Sequence, residues 1–293
     1  MTWRASLAVL AGAYSEATLR GYRSDFCHFE RWCAGAGAAA LPASPQSVAA
    51  YLAANAGLAI ATLQRRLNAI RRIHRLMRLV DPTTDEAVWL ALRRLKRAHH
   101  ARPAQALGLT AELTARLMVA TGDDLTGLRD RAMIAIGFDT LCRRSELVAL
   151  RLDDLEIGLD GRATILVRRS KADPFGSGRL AAISSAGLRR LSAWLEAGKI
   201  ETGPLFRSVR DNRVGTGALA PLTVTRVLKA AALRAGFTRE ETSQVSGHSL
   251  RVGGAQTLAK RGFDMLTIMR AGGWKSVNVV ARYTEHAGLD IWQ

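Results

Sequence analysis

The stretch 248-HSLRVGGAQTLAKRGFDMLTIMRAGGWKSVNVVARY-283 decides how the chain is read. Its periodicity fits three helices, at 249–261, 264–271 and 276–285, the last capped by Ser276. His248 and Arg251 stand three apart, one turn of a helix, so both can address one phosphate from the helix start. Trp274 follows a Gly-Gly pair, and Tyr283 lies nine positions beyond it. A phosphodiester undergoing transfer gains negative charge on its non-bridging oxygens, and arginine answers that charge with a planar fork of donors. Tyrosine is a competent nucleophile for the same centre. Each motif alone is weak: a His followed by an Arg is often structural, and a lone Trp or Tyr is often core.

Working outward, Arg143-Arg144-Ser145-Glu146-Leu147 stands at a loop-to-helix junction, with an apolar helix over Leu128–Phe138 before it and another from Ser145. Between 155 and 183 the period changes to that of strands. Leu155–Ile157, Ala163–Val167 and Leu180–Ile183 are separated by turns at Gly158/Asp160-Gly161 and Asp173–Gly178, which predicts one small antiparallel sheet. Helices at 185–197 and 222–235 complete a mainly helical domain opened by Thr110.

The first third is helical throughout. Ser15 is the expected N-cap of a helix running to Gly35/Gly37, and Ser44-Pro45 opens a second. The third, from Thr62, sets an apolar stripe (Leu63, Leu67, Ile70, Ile73) beside Arg65, Arg66, Arg71, Arg72, Arg75 and Arg78. The fourth, after Asp81-Pro82, carries Arg93, Arg94, Lys96 and Arg97. Almost no acid answers these cations at i,i+4, so they are expected to contact a DNA backbone. An anionic membrane is the weaker alternative, because four packed helices bury their apolar faces.

Charge supports a polyanionic partner. The 293 residues carry 42 Lys and Arg against 25 Asp and Glu, a net +17. Residues 1–103 hold 15 basic and 6 acidic side chains, about twice the net charge per residue of the remainder. The segment around Arg102-Pro103 lacks periodicity, giving domains 1–103 and 110–293 joined by a linker at 104–109. No apolar run is long enough to span a membrane and the N-terminal apolar stretch is short for a signal peptide, so a cytoplasmic protein is expected. Cys27, Cys33 and Cys142 fit neither paired disulfides nor metal spacing and are expected as reduced thiols. His99-His100 has no acids or Cys beside it, so no metal is assigned, and no nucleotide-binding loop is present: no cofactor is expected.

In this order, the R-x-S-E-L box, a lysine on the sheet, H-x-x-R, G-G-W and a final Tyr resemble the tyrosine recombinases, or phage integrases, over Asp130–Tyr283. The resemblance implies an N-terminal helical, SAM-like core-binding domain and a C-terminal catalytic domain that clamp around double-stranded DNA. It implies that Arg143, rather than its neighbour Arg144, is a phosphate ligand because it stands three before Glu146, which orients it. It makes Lys171 the general acid that protonates the departing 5′ oxygen, and His248 the group that accepts or relays the tyrosine proton. Arg251 and Trp274 are further phosphate ligands, and Tyr283 is the nucleophile. The product is a 3′-phosphotyrosyl link and a free 5′ hydroxyl, exchanged without ATP or metal. Tyr14, Tyr22 and Tyr51 lie in the first domain, which leaves Tyr283 for this site.

The implied function is site-specific recombination by a homo-tetramer on two duplexes, from a protein that is a monomer in free solution. A type IB topoisomerase-like enzyme would rejoin the original strand, and a non-catalytic regulator on the same fold would cut nothing. Members tie protomers together with a segment after the tyrosine. Here TEHAGLDIWQ follows, short for that role, with Leu289, Ile291 and Trp292 as its apolar contacts.

Overall fold

The computed structural model of the chain describes residues 2–99, 105–168 and 178–285. The chain divides into two compact units, 1–103 and 104–293.

The described residues of the first unit form five α-helices: α1 (Trp3–Ala8), α2 (Glu16–Gly35), α3 (Pro45–Ala54), α4 (Ile60–Leu76) and α5 (Glu86–Ala98). Local chemistry sets their starts. The Ser15 and Ser44 hydroxyls accept from Thr18 N–H and Ser47 N–H, and Pro45 opens α3 where its missing N–H costs nothing. The chain after Asp81 makes a short 3-10 turn, so the fourth expected helix starts later, at Glu86 behind an Asp85 cap. Phe26, Phe29, Tyr51, Leu52, Leu63, Ile70 and Ile73 fill the core. Burying one such aliphatic or aromatic side chain contributes roughly 1.5–3 kcal/mol.

The second unit is also mainly helical. Helices α6 (Ala111–Val119), α7 (Leu125–Thr140) and α8 (Arg144–Leu147) lead to strands β1 (Leu155–Ile157), β2 (Ala163–Val167) and β3 (Arg179–Ile183). These three pair antiparallel in the order β1-β2-β3, with Ile165 opposite Leu155 on one side and Ala181 on the other. Ala163, Ile165 and Val167 alternate into the core, the period-2 signature of a sheet with one face covered. After α9 (Ser185–Ala197) comes a second sheet, β4 (Arg207–Arg210) with β5 (Arg213–Ala218), where a single sheet was expected. Its strands, RSVR and RVGTGA, lack apolar alternation. The turn Asp211-Asn212, with both φ positive (47° and 56°), makes the hairpin.

Helices α10 (Pro221–Arg234), α11 (Arg239–Gln244), α12 (Ser249–Lys260), α13 (Met265–Gly272) and α14 (Val277–Thr284) complete the unit. Residues 105–109, read in the sequence as linker, are bound into it. Leu107 N–H donates to Gln244 O and Leu109 N–H to Ser249 O, and Leu109 is fully buried. Gly253 of α12 permits this, since a Cβ there would lie 1.9 Å from Leu109 O.

Candidate active site

Three chain reversals present the sequence-selected side chains. At the first, α7 ends on Leu141, a non-glycine residue held at φ 52°. A left-handed Leu costs about 1–2 kcal/mol and persists only where packing imposes it. Here Leu141 is buried beside Ala255, Ile268, Trp274 and Val280. The turn points its carbonyl at Arg251, whose Nη1 donates to it. Two residues on, Arg143 caps α8, and Glu146 grips it twice. Glu146 Oε2 accepts from Arg143 N–H at 3.0 Å, and Oε1 pairs with Nη1 at 2.6 Å. The carboxylate is almost wholly buried and thereby fixes the direction of the arginine.

The second reversal is the start of α12. His248 takes its N-cap position, its N–H donating to Ser246 Oγ, and Arg251 follows one turn later. Arg251 is 2% exposed, and its Nη2 has no hydrogen-bond partner among the described residues. Burial, then the Arg143 charge, lowers its pKa to about 10, so it stays cationic at neutral pH. His248 reaches the surface. Desolvation, then repulsion from Arg144, Arg251 and Arg143, holds its imidazole below the ordinary histidine value, which favours the neutral ring.

The third reversal explains Gly-Gly-Trp. Gly273 ends α13 in the left-handed region, φ 63°, and Trp274 N–H bonds back to Met269 O. A Cβ on Gly272 would lie 2.0 Å from the indole, so only glycine lets the ring fold back. The ring then lies beneath Arg251, whose guanidinium carbon is 4.0 Å from its centroid, and meets Tyr283 edge-on at 5.9 Å. Tyr283, half-buried on α14, shares with His248 a cavity of about 600 Å³.

Six of the seven sequence-selected residues therefore converge: Arg143, Glu146, His248, Arg251, Trp274 and Tyr283. Lys171 lies outside the described residues, as do Leu289, Ile291 and Trp292. Sequence reasoning missed Arg179 at the start of β3. It donates to Thr140 O at 2.7 Å and Ala271 O at 2.9 Å, lashing the ends of α7 and α13 together behind the site. Only the contacts reveal it, because its partners are main-chain carbonyls 39 and 92 residues away.

In the first unit the arginines expected to be unanswered are largely answered, by acids from other elements. Arg65 holds the buried Asp25 with two bonds, at 2.7 and 2.9 Å. Arg71 and Arg75 both face Asp81, Arg66 bonds Tyr51 Oη and Asn55 Oδ1, and Arg72 bonds Tyr14 Oη. Arg93 lies over the Trp89 ring. Among the described residues Arg78, Arg94, Lys96 and Arg97 have no ion pair.

Residues 108–288 match the Phage integrase family, and residues 7–78 match the phage integrase N-terminal SAM-like domain. The chain belongs to the phage integrase family. Among members of this tyrosine recombinase family, it is 34% identical to an integrase/recombinase xerD homolog of Selenomonas ruminantium, over 94% of this chain and 83% of that one. It is 29% identical to the recombinase cre of Escherichia phage P1, over 92% and 84% of the two chains. The fold matches that of a lambda integrase tetramer bound to a Holliday junction, with TM-score 0.67 at 17% identity, over 98% of this chain and 78% of that one. Among the described residues no helix is long and apolar enough to cross a membrane. The three cysteines are free, with Cys33 and Cys142 buried and Cys27 partly so.

Proposed function

We propose that this phage integrase cuts and rejoins double-stranded DNA at a specific site, with Tyr283 attacking phosphorus to form a 3′-phosphotyrosyl link and release a 5′ hydroxyl. The buried Arg251 with its unpartnered Nη2 carries the reading. A guanidinium nitrogen left without a bond in a protein interior is costly, roughly 1–3 kcal/mol, unless an anion is to be bound. A scissile phosphate is that anion. Arg251 and Arg143 donate to its non-bridging oxygens, with Glu146 holding Arg143 in place, and Trp274 adds an indole N–H.

Free phenol has a pKa near 10, so the Tyr283 proton needs an acceptor. Neutral His248, on the same cavity, takes it, and the arginines stabilise the phenolate. Lys171 protonates the departing 5′ oxygen, as the family resemblance implies. The reverse reaction, with a 5′ hydroxyl from a second duplex, completes exchange. We assign this to a homo-tetramer on two duplexes formed from free monomers, in keeping with the lambda integrase assembly, and to the cytoplasm. The basic first unit, 1–103, adds contacts to the DNA backbone, with Arg78, Arg94, Lys96 and Arg97 on the phosphates, and the catalytic unit is 110–293.

Sequencing DNA bound by the Tyr283→Phe protein yields a site for the test. A nicked duplex carrying that site should trap wild type covalently and leave Tyr283→Phe unlinked. A covalent complex with Tyr283→Phe would remove Tyr283 as the nucleophile.

A further inference from the structure

Helix α14 is short for an element that carries a nucleophile. It has eight residues, fewer than a helix needs to persist alone in water. Ser276 makes no side-chain cap bond, and only Val280 and Thr284 are buried. Carbonyls in the last turn of a helix have no partner within it. That of Tyr283 is met from outside by two side-chain amides: Gln256 Nε2 donates at 3.2 Å and Gln105 Nε2 at 3.5 Å.

Both glutamines are themselves placed. Gln256 stands on α12, five residues beyond Arg251, so one helix carries a phosphate ligand and a hand on the nucleophile's main chain. Its side chain lies across Gly108, where a Cβ would fall 2.0 Å from Oε1. Gln105 belongs to the segment whose Leu107 and Leu109 N–H groups are fixed to Gln244 O and Ser249 O. Hydrogen bonds to a residue's own carbonyl restrain its Cα, and through it the line along which the side chain projects.

We infer that Gln256, assisted by Gln105, is a positioning residue that aims Tyr283 at the scissile phosphorus, an inference that rests on Tyr283 being the nucleophile. An alternative is plain helix capping, which would alter stability and leave the rate of attack alone. The two separate in a kinetic test. Single-turnover covalent trapping by the full chain is measured on nicked duplex carrying the site recovered with Tyr283→Phe, and on the same duplex with a 5′-bridging phosphorothiolate. Sulfur at that position leaves without a general acid, so it relieves defects in leaving-group protonation and not defects in attack.

Gln256→Leu and Gln256→Glu each remove the amide donor. Both should slow trapping about 10- to 100-fold on either substrate with DNA affinity unchanged, since small misplacement of a reacting atom is costly. Lys171→Ala should recover on the phosphorothiolate. Gln105→Ala, with the longer bond, should slow attack less and provides a mild variant if Gln256 substitutions unfold the protein. Wild-type rates in folded Gln256 and Gln105 variants, or full recovery of a Gln256 variant on the phosphorothiolate, would overturn the inference. If wild type itself forms no covalent complex, or Tyr283→Phe still does, the site reading fails instead.

Discussion

Arginine is used in two ways in the two units. Along and just after α4, five of six arginines meet a protein acceptor: Arg65 on Asp25, Arg66 on Tyr51 and Asn55, Arg71 and Arg75 on Asp81, Arg72 on Tyr14. Arg65 is well exposed even so. Arg251 is the opposite, sealed inside with a nitrogen left over. An exposed paired arginine still lends field to a polyanion, even where its partner is a buried carboxylate. A buried nitrogen without a partner calls for an explanation, and an arriving anion supplies one. The difference separates a basic surface, legible as charge, from a binding site, legible only as geometry.

Arg251→Ala should reduce single-turnover cleavage by about 10³-fold or more, since one preorganised transition-state donor is worth on the order of 10²–10³ and Arg251 adds a full positive charge. If that variant cleaves at wild-type rate while still binding DNA, the orphaned Nη2 is not a phosphate contact.

Next comes pH. Because His248 is held below the ordinary histidine value by desolvation and three arginines, it is neutral at pH 7 and cleavage should be flat there. As pH falls through that depressed pKa the acceptor is lost, and the rate should drop about tenfold per unit. In His248→Gln that acidic limb should vanish; a pH–rate profile unchanged by the substitution would exclude proton acceptance by His248.

A smaller effect is expected on the first unit, in stability rather than rate. Arg65→Ala leaves the buried Asp25 carboxylate without its two charged bonds, at a cost of about 1–3 kcal/mol measurable by urea unfolding. DNA affinity should change less than for Arg97→Ala, whose charge is uncommitted among the described residues. Arg97→Ala and Lys96→Ala should each lower the slope of log affinity against log salt by about 1, uniformly across sequences. Equal salt slopes for Arg65→Ala and Arg97→Ala would erase the distinction between paired and free cations.

The smallest effect concerns His74, buried in the first unit. Its Nε2 accepts from Ala43 N–H at 3.0 Å, which requires an unprotonated nitrogen, and burial lowers its pKa. A base whose folded pKa lies below its unfolded one leaves the unfolded chain binding more protons between the two values. Stability is therefore full above the unfolded value, near 6.5, and declines as pH falls below it. His74→Gln should be less stable at neutral pH and should lose that part of the acid sensitivity in thermal melts.

Much of this was legible in the sequence for identifiable reasons. Ser15, Ser44-Pro45 and the alternation at 163–167 are local signals, and the structure follows them to within a residue or two. Helical pitch put His248 and Arg251 on one turn, and the resemblance to the family, rather than spacing, brought Trp274 and Tyr283 to the same locus. What escaped is non-local or faint in pattern. α1 is six residues long, the β4–β5 hairpin hides its period behind Arg and Gly, and Asp25 meets Arg65 across 40 positions. The i,i+4 rule, applied along α4, could not see an acid supplied by α2. The left-handed Leu141 gives no sequence signal at all, since leucine is an unlikely residue for that conformation.

The indole of Trp274 carries Arg251 over one face and meets the Tyr283 ring in a T-shaped contact. One rigid aromatic ring thus lies against both Arg251 of α12 and Tyr283 of α14. A ring neither compresses nor changes length, so it resists approach of the two side chains from either helix. Replacement by a flexible side chain of similar volume would keep the volume filled and lose that resistance.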